Sequence, residues 1–420
     1  MDNDSLITPL LAAADKRLGA DGSHHVQNIE HILKTLRTHL GMDVAFIAEF
    51  LGGQRVIRHV DSKHSPGRLA PGDSHPLQDS YCHYIANGEL DGIVADTALH
   101  PLTRNMPVTQ ALDIANYIGV PVHLPDGSLF GTFCCFDHET GRNLGPRDQA
   151  LLGAFAEFAG RLIGQSLERA AGDRETRERI LDMLRHRRLR TVFQPILHME
   201  QRRVVGFEAL TRFDTEPYRP PNQWFDEADR VGLGLELQKL AVQTALQTAA
   251  PLPKTSYLSL NVSPEQILDG ELASVLHGWP AERVLLEITE HARIVDYPAL
   301  RQALAPLREQ GVDIAVDDAG AGYASFQHVL ELEAEIIKLD ISLIRDIHRD
   351  RARQALAAAL IRFGEVIGAR VIAEGVENRE ELATLRRLGV AKVQGYFVGK
   401  PMPIEDALHF TLVDESPPRA

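Results

Sequence analysis

From residue 190 onward the chain alternates short strand-like runs with longer stretches, and it does so eight times. The runs cover 191–197, 204–210, 257–262, 283–288, 313–318, 335–340, 370–375 and 392–397. From the second run on, every gap has room for a helix. Apolar residues recur at helical spacing in several gaps, such as 235–246 and 355–367. Strands alternating with helices predict a parallel sheet, and eight of them predict a closed α/β barrel of the TIM-like (β/α)8 kind. The first gap breaks the pattern, because only residues 198–203 separate runs one and two, too few for a parallel crossover. The first strand is therefore expected to run antiparallel to the second.

In a parallel barrel the C-terminal strand ends carry the chemistry. Glu208, Asn261, Glu287, Asp317, Asp318, Lys338 and Glu374 stand at or near the ends of runs two to seven, and Gln394 lies within run eight. Gln194 is early in run one, and an antiparallel first strand brings its beginning to the same rim. Taken singly, each has a plainer reading as a helix cap, a solvated loop residue, an ion-pair partner or a turn. Taken together, five carboxylates at one mouth repel one another and need cations. Carboxylate and amide oxygens are hard ligands that suit two Mg²⁺ or Mn²⁺ ions, with Ca²⁺ as an inhibitory occupant. A carboxylate of the Asp317-Asp318 pair bridging two ions gives the arrangement used for phosphodiester cleavage. With two divalent ions and Lys338, the charge of the five carboxylates cancels.

The sequence Glu208-Ala209-Leu210-Thr211-Arg212 then resembles the signature of the EAL family of cyclic di-GMP phosphodiesterases. Companion motifs follow the family's order: FQPI at 193–196, LNVSP at 260–264, LEITE at 286–290, VDDAGAGYASF at 316–326, IKLD at 337–340, AEGVE at 373–377 and QGYFVGKPMP at 394–403. The resemblance covers about 185–410 and implies metal-dependent opening of cyclic di-GMP to linear pGpG; the alternative is a non-catalytic cyclic di-GMP receptor. It implies Glu208, Asn261, Glu287 and Asp317 as ligands of one ion, with Asp317 bridging to a second held by Asp318 and Glu374. It implies Lys338 as the residue that holds or deprotonates the attacking water. Gln194, Leu210, Arg212 and Gln394 resemble substrate-contacting positions, Glu377 a supporting group near them, and Glu290 the anchor of the loop after strand five. That loop departs from the family pattern at Ala319 and Ala321.

Upstream, apolar residues at helical spacing over 25–40 predict a helix, and two hairpins are expected at 44–60 and 117–136. A further helix from about Arg147 carries the stripe Leu151, Phe155, Phe158, Leu162, fit either for its own sheet or for a coiled-coil seam. This α+β region resembles a GAF sensor domain, chiefly through IGVPVHLPDGSLFGTFCCF at 118–136, with an unassigned ligand. Domains are expected at 1–167 and 186–420, joined by a helical linker over 168–185, in a homodimer.

The net charge of −14 disfavours DNA or RNA binding. Three cysteines give no disulfide framework, and the N-terminus lacks a signal-peptide pattern. A cytoplasmic protein without a membrane partner is expected. Cys134 and Cys135 read as small residues on opposite faces of a strand, with a redox pair including Cys82 as the lesser alternative.

Overall fold

The computed structural model describes residues 22–64, 68–289, 294–319 and 324–410. Glu290 and residues 320–323 lie outside this set, and so does the role expected of Glu290. The chain divides into two compact units between Gly172 and Asp173, inside the helix Pro146–His186.

The first unit holds a six-stranded sheet. Its strands are β1 (Val44–Leu51), β2 (Gln54–Ser62), β3 (Ser74–Pro76), β4 (Ile93–Val94), β5 (Asn116–His123) and β6 (Leu129–Asp137), in the order β3-β2-β1-β6-β5-β4. All neighbours are antiparallel. Both expected hairpins are present, β1–β2 turning at Gly52 and Gly53, whose φ of 57° and 77° suits a two-residue loop. One face packs on the helix Gly22–Leu40, through Ile29, Leu33 and Leu36, and on the start of the long helix, through Leu152, Phe155, Ala159 and Leu162. The stripe read from sequence therefore turns to its own sheet: Phe155 and Leu162 are buried there, with Leu151 and Phe158 packed beside them. Gly160 allows this close approach, since a Cβ at that position would stand 2.1 Å from the His123 carbonyl oxygen. The other face is covered by short helices, Tyr81–Ala86 among them.

The second unit is a closed barrel of eight strands: β7 (Leu189–His198), β8 (Arg203–Phe213), β9 (Tyr257–Asn261), β10 (Val284–Thr289), β11 (Asp313–Ala319), β12 (Ile336–Leu339), β13 (Arg370–Ala373) and β14 (Lys392–Val393). As expected, β7 runs antiparallel to β8, and also to β14, while the remaining pairs are parallel. The β7–β8 hairpin continues past the expected run to Leu189 opposite Phe213, because an antiparallel pair can extend beyond its parallel neighbour. Leu210 and Arg212 consequently lie on a strand. The segment expected as a linker packs here too: Ile180 and Met183 are buried with Leu189, Phe213, Trp224 and Leu237. No described helix is long and apolar enough to cross a membrane.

Strand alternation sorts the barrel into layers. Leu286, Ile288, Val316, Ile337 and Leu339 face the surrounding helices in the main core. Ile196, Leu285, Ala315, Ile336 and Ile372 form a separate inner apolar plug. Two residues along each of these strands, toward the mouth, stand Gln194, Glu287, Asp317, Lys338 and Glu374. The backbone thus lifts one polar ring above one dry layer.

Candidate active site

The ring is organised around Lys338, which is fully buried. Its Nζ lies 2.6 Å from Glu374 Oε1, 2.8 Å from Glu287 Oε1, 3.0 Å from Asp317 Oδ1 and 4.0 Å from Glu208 Oε2. Glu208 is fixed on both sides, accepting from Asn261 Nδ2 at 3.0 Å and from Gln394 Nε2 at 2.5 Å. Gln394 Nε2 also reaches Gln194 Oε1 at 3.1 Å, and Gln194 donates to the Gly399 carbonyl at 3.2 Å. The register explains the meeting, since Gln194 pairs with Glu208 across β7–β8 and Asn261 with Glu287 across β9–β10. Asp317, Asp318 and Glu374 bring oxygens within 4.8 Å of one another. Asp318 holds a left-handed backbone, φ 56°, and its N–H donates to Asp317 Oδ1 at 3.0 Å. Such a conformation costs energy in a non-glycine residue and is characteristic of functional sites.

The electrostatics are those of an acid cluster with too few cations. Burial raises Glu287 to about 8 against the pull of Lys338, and burial pushes Glu374 well above the usual carboxylate range. Burial alone would raise Glu208, but Lys338 and the Gln394 and Asn261 amides bring it below its ordinary value. Burial disfavours the Lys338 charge, yet Asp317, Glu208, Glu287 and Glu374 drive that ammonium well above its usual range. With Glu208, Glu287, Asp317 and Glu374 all ionised, the carboxylates would outweigh the single Lys338 ammonium, a surplus that divalent cations would offset. The donor set, carboxylate and amide oxygens only, fits Mg²⁺ or Mn²⁺.

Other residues singled out from sequence stand further off. Leu210 and Arg212 are half-buried on β8, where Arg212 donates to the Thr211 carbonyl at 2.8 Å. Glu377 is exposed and accepts from Arg345 at 2.9 Å, outside the hydrogen-bonded ring. Sequence reading missed Ser259, whose hydroxyl donates to Glu287 Oε1 at 2.5 Å. Its position two residues before Asn261 on β9 was the available signal. It also missed a groove of about 460 Å³ on the rim, lined by Arg190, Arg212, Lys400 and the exposed Tyr396. Lys400 Nζ sits 5.7 Å from the Tyr396 ring centre.

Residues 177–401, more than half of the chain, match the EAL domain and contain the whole ring. The chain belongs to the EAL domain family. Residues 26–163 match the GAF domain, so the order is GAF then EAL. An uncharacterised signalling protein of Caulobacter vibrioides is 29% identical over 338 residues, covering 76% of this chain and 40% of that protein. PdeD of Escherichia coli, named a probable cyclic di-GMP phosphodiesterase, is 28% identical over 236 residues, covering 54% of this chain and 44% of PdeD. The chain thus spans less than half the length of these curated relatives. The phosphodiesterase of MucR, from Pseudomonas aeruginosa, solved in complex with cyclic di-GMP, is similar to the EAL barrel at a TM-score of 0.50 and 27% identity. That match covers 55% of this chain and 100% of that one.

Proposed function

We propose that the chain hydrolyses cyclic di-GMP to linear pGpG with the help of two divalent cations, Mg²⁺ or Mn²⁺. The observation that carries this reading is the excess of carboxyl groups around a single buried ammonium, beside a rim groove of three cationic side chains and an open aromatic ring. An anionic dinucleotide suits the groove: Arg190, Arg212 and Lys400 meet phosphate, and Tyr396 offers a face for a guanine to stack on. The names of PdeD and MucR agree with this substrate.

Glu208, Asn261, Glu287 and Asp317 would hold one ion, and Asp317, Asp318 and Glu374 the other. When bound, such ions supply positive charge to the phosphodiester and acidify the attacking water. Gln394 and Asn261 keep Glu208 pointed inward, and Ser259 does the same for Glu287. Lys338 holds a proton at Nζ, in ion-pair contact with Glu287, Asp317 and Glu374. As its carboxylate partners are neutralised, its hold on that proton weakens, and it can orient the nucleophile or share a proton with it. The GAF unit would sense an unassigned ligand, with the chain acting as a homodimer.

Incubating the whole chain with cyclic di-GMP and Mn²⁺ and separating the nucleotides tests the reading. Accumulation of pGpG is expected. Tight retention of unaltered cyclic di-GMP would make the barrel a receptor instead.

A further inference from the structure

Away from the barrel, the GAF unit buries two thiols against each other. Cys82 is in the first turn of the helix Tyr81–Ala86, Cys134 is in β6, and both are fully buried. Their sulfurs lie 3.9 Å apart although 52 residues separate them in sequence. The approach depends on Gly119, opposite Cys134 in β5, where a Cβ would stand 3.0 Å from the Cys134 sulfur.

The surroundings are polar for a core. The Tyr117 hydroxyl is 3.6 Å from the Cys82 sulfur, and the buried Thr132 hydroxyl has no hydrogen-bond partner. Arg55 is only 3% exposed, and its Nε is without a hydrogen bond. Its guanidinium touches His75 Nδ1 at 3.3 Å and lies 5.9 Å from the Phe46 ring centre, and among the described residues no carboxylate pairs with it. A buried cation of this kind is costly unless an anion answers it. The Cys82 thiol is the acid it acts on. Burial alone would raise that thiol, but the Cys134 thiol, Arg55, Thr132 and Tyr117 together bring it below the ordinary value. Burial and the Cys82 charge push Cys134 the other way. Cys135 supplies an internal contrast: it faces the opposite side of the sheet, and burial pushes it up to about 12.

We propose that Cys82 and Cys134 are a redox couple that closes to a disulfide when a hydroperoxide reaches them, with Cys82 as the attacking thiolate and Cys134 as the resolving thiol. The Cys82 sulfur attacks the terminal peroxide oxygen and the O–O bond breaks. Cys82 becomes a sulfenic acid, and the alkoxide or hydroxide that leaves takes up a proton. The Cys134 sulfur then displaces hydroxide from Cys82, which departs as water with the thiol proton. The sulfurs must close from 3.9 Å to a bond of about 2.05 Å, a side-chain movement of roughly 2 Å. Access needs only a local opening, since the covering helix has six residues and the flanking Gln78, Asp79 and Asn87 are exposed.

The test treats the reduced whole chain with hydrogen peroxide, alkylates it under denaturing conditions and maps the peptides. Two of the three thiols should be lost. The Cys82 peptide should be joined to the Cys134 peptide, lighter by two hydrogens, and released by dithiothreitol, with Cys135 alkylated. Fragmentation between the adjacent cysteines tells Cys134 from Cys135. Cys135→Ser should form the same link, and Cys134→Ser should instead trap a dimedone-reactive sulfenic acid at Cys82. A link through Cys135 would overturn the proposal. So would full alkylation of all three thiols in the unsubstituted chain at a dose that oxidises an exposed thiol.

Discussion

Two groups of buried acids sit at strand ends in this protein, one in each unit, and they are balanced differently. In the GAF unit, Asp43 accepts from His138 Nδ1 at 2.9 Å and faces Lys63 at 3.4 Å, while Asp137 accepts from Arg142 at 2.6 Å. Burial opposes ionisation of Asp43, but its hydrogen bonds to Asp137, His138 and Lys63 hold it well below the usual carboxylate range. Two carboxylates there meet two permanent cations. In the EAL barrel, Glu208, Glu287, Asp317 and Glu374 share one lysine, and two of them are pushed up instead. A third group, Asp346, His348 and Glu381, spends both Glu381 oxygens on the backbone N–H groups of Asp346 and Glu377. Proximity of acids is therefore common to all three, and the surplus of charge belongs to the barrel mouth.

The largest expected difference comes from neutralising one acid in each of the first two groups. Asp317→Asn should lower hydrolysis by about a thousand-fold or more, the several kcal/mol that a metal ion supplies. Asp43→Asn should leave the rate per folded chain unchanged and cost about 1–2 kcal/mol of stability in thermal unfolding. Equal rate losses in both would erase the distinction. Next, Lys338→Ala should lower kcat by about 10²–10⁴-fold and largely spare KM. Steady-state kinetics showing a loss in KM alone would make Lys338 a phosphate-binding residue. On the rim, Arg212→Ala should raise KM about ten-fold or more with little change in kcat, the value of a charge-assisted hydrogen bond.

The smallest effect is on pH dependence. Glu287 has a folded value raised to about 8, above that of an unfolded glutamate. It binds its proton more tightly in the folded chain, so its contribution is complete below about pH 4 and is lost as the pH rises through 8. Without divalent ions, the melting temperature of the barrel should therefore fall between pH 5 and 8. Added Mn²⁺ should flatten or reverse that slope, because bound cations favour the ionised carboxylates. The Asp43 group should show no response to Mn²⁺.

The barrel was legible because each strand ends in a polar residue set on an apolar alternation, and Asp317, Lys338 and Glu374 each follow an inward apolar residue two positions earlier. The antiparallel first strand followed from the short gap at 198–203. Less was legible where an element is too short to show a period: β3 has three residues and β4 two. The outward course of β7–β8 was missed because nothing local marks where a hairpin outlasts its neighbour. Ser259 reads as any small strand residue until Glu287 is seen beside it. The rim groove joins Arg190 and Arg212 to Tyr396 and Lys400, and Cys82 meets Cys134, only after long-range folding. The stripe at Leu151 and Phe158 fitted two partners equally, and the choice lay with the sheet surface that Gly160 lets the helix approach.

The claim that surplus negative charge at the mouth is there to hold cations is tested most directly by counting ions. Equilibrium dialysis of Mn²⁺ against the whole chain, with elemental analysis, should give two ions per chain at saturation, fewer in Asp317→Asn and an unchanged number in Asp43→Asn. Binding that is lost in Asp43→Asn but kept in Asp317→Asn, or pGpG formed at full rate under a chelator, would contradict the account.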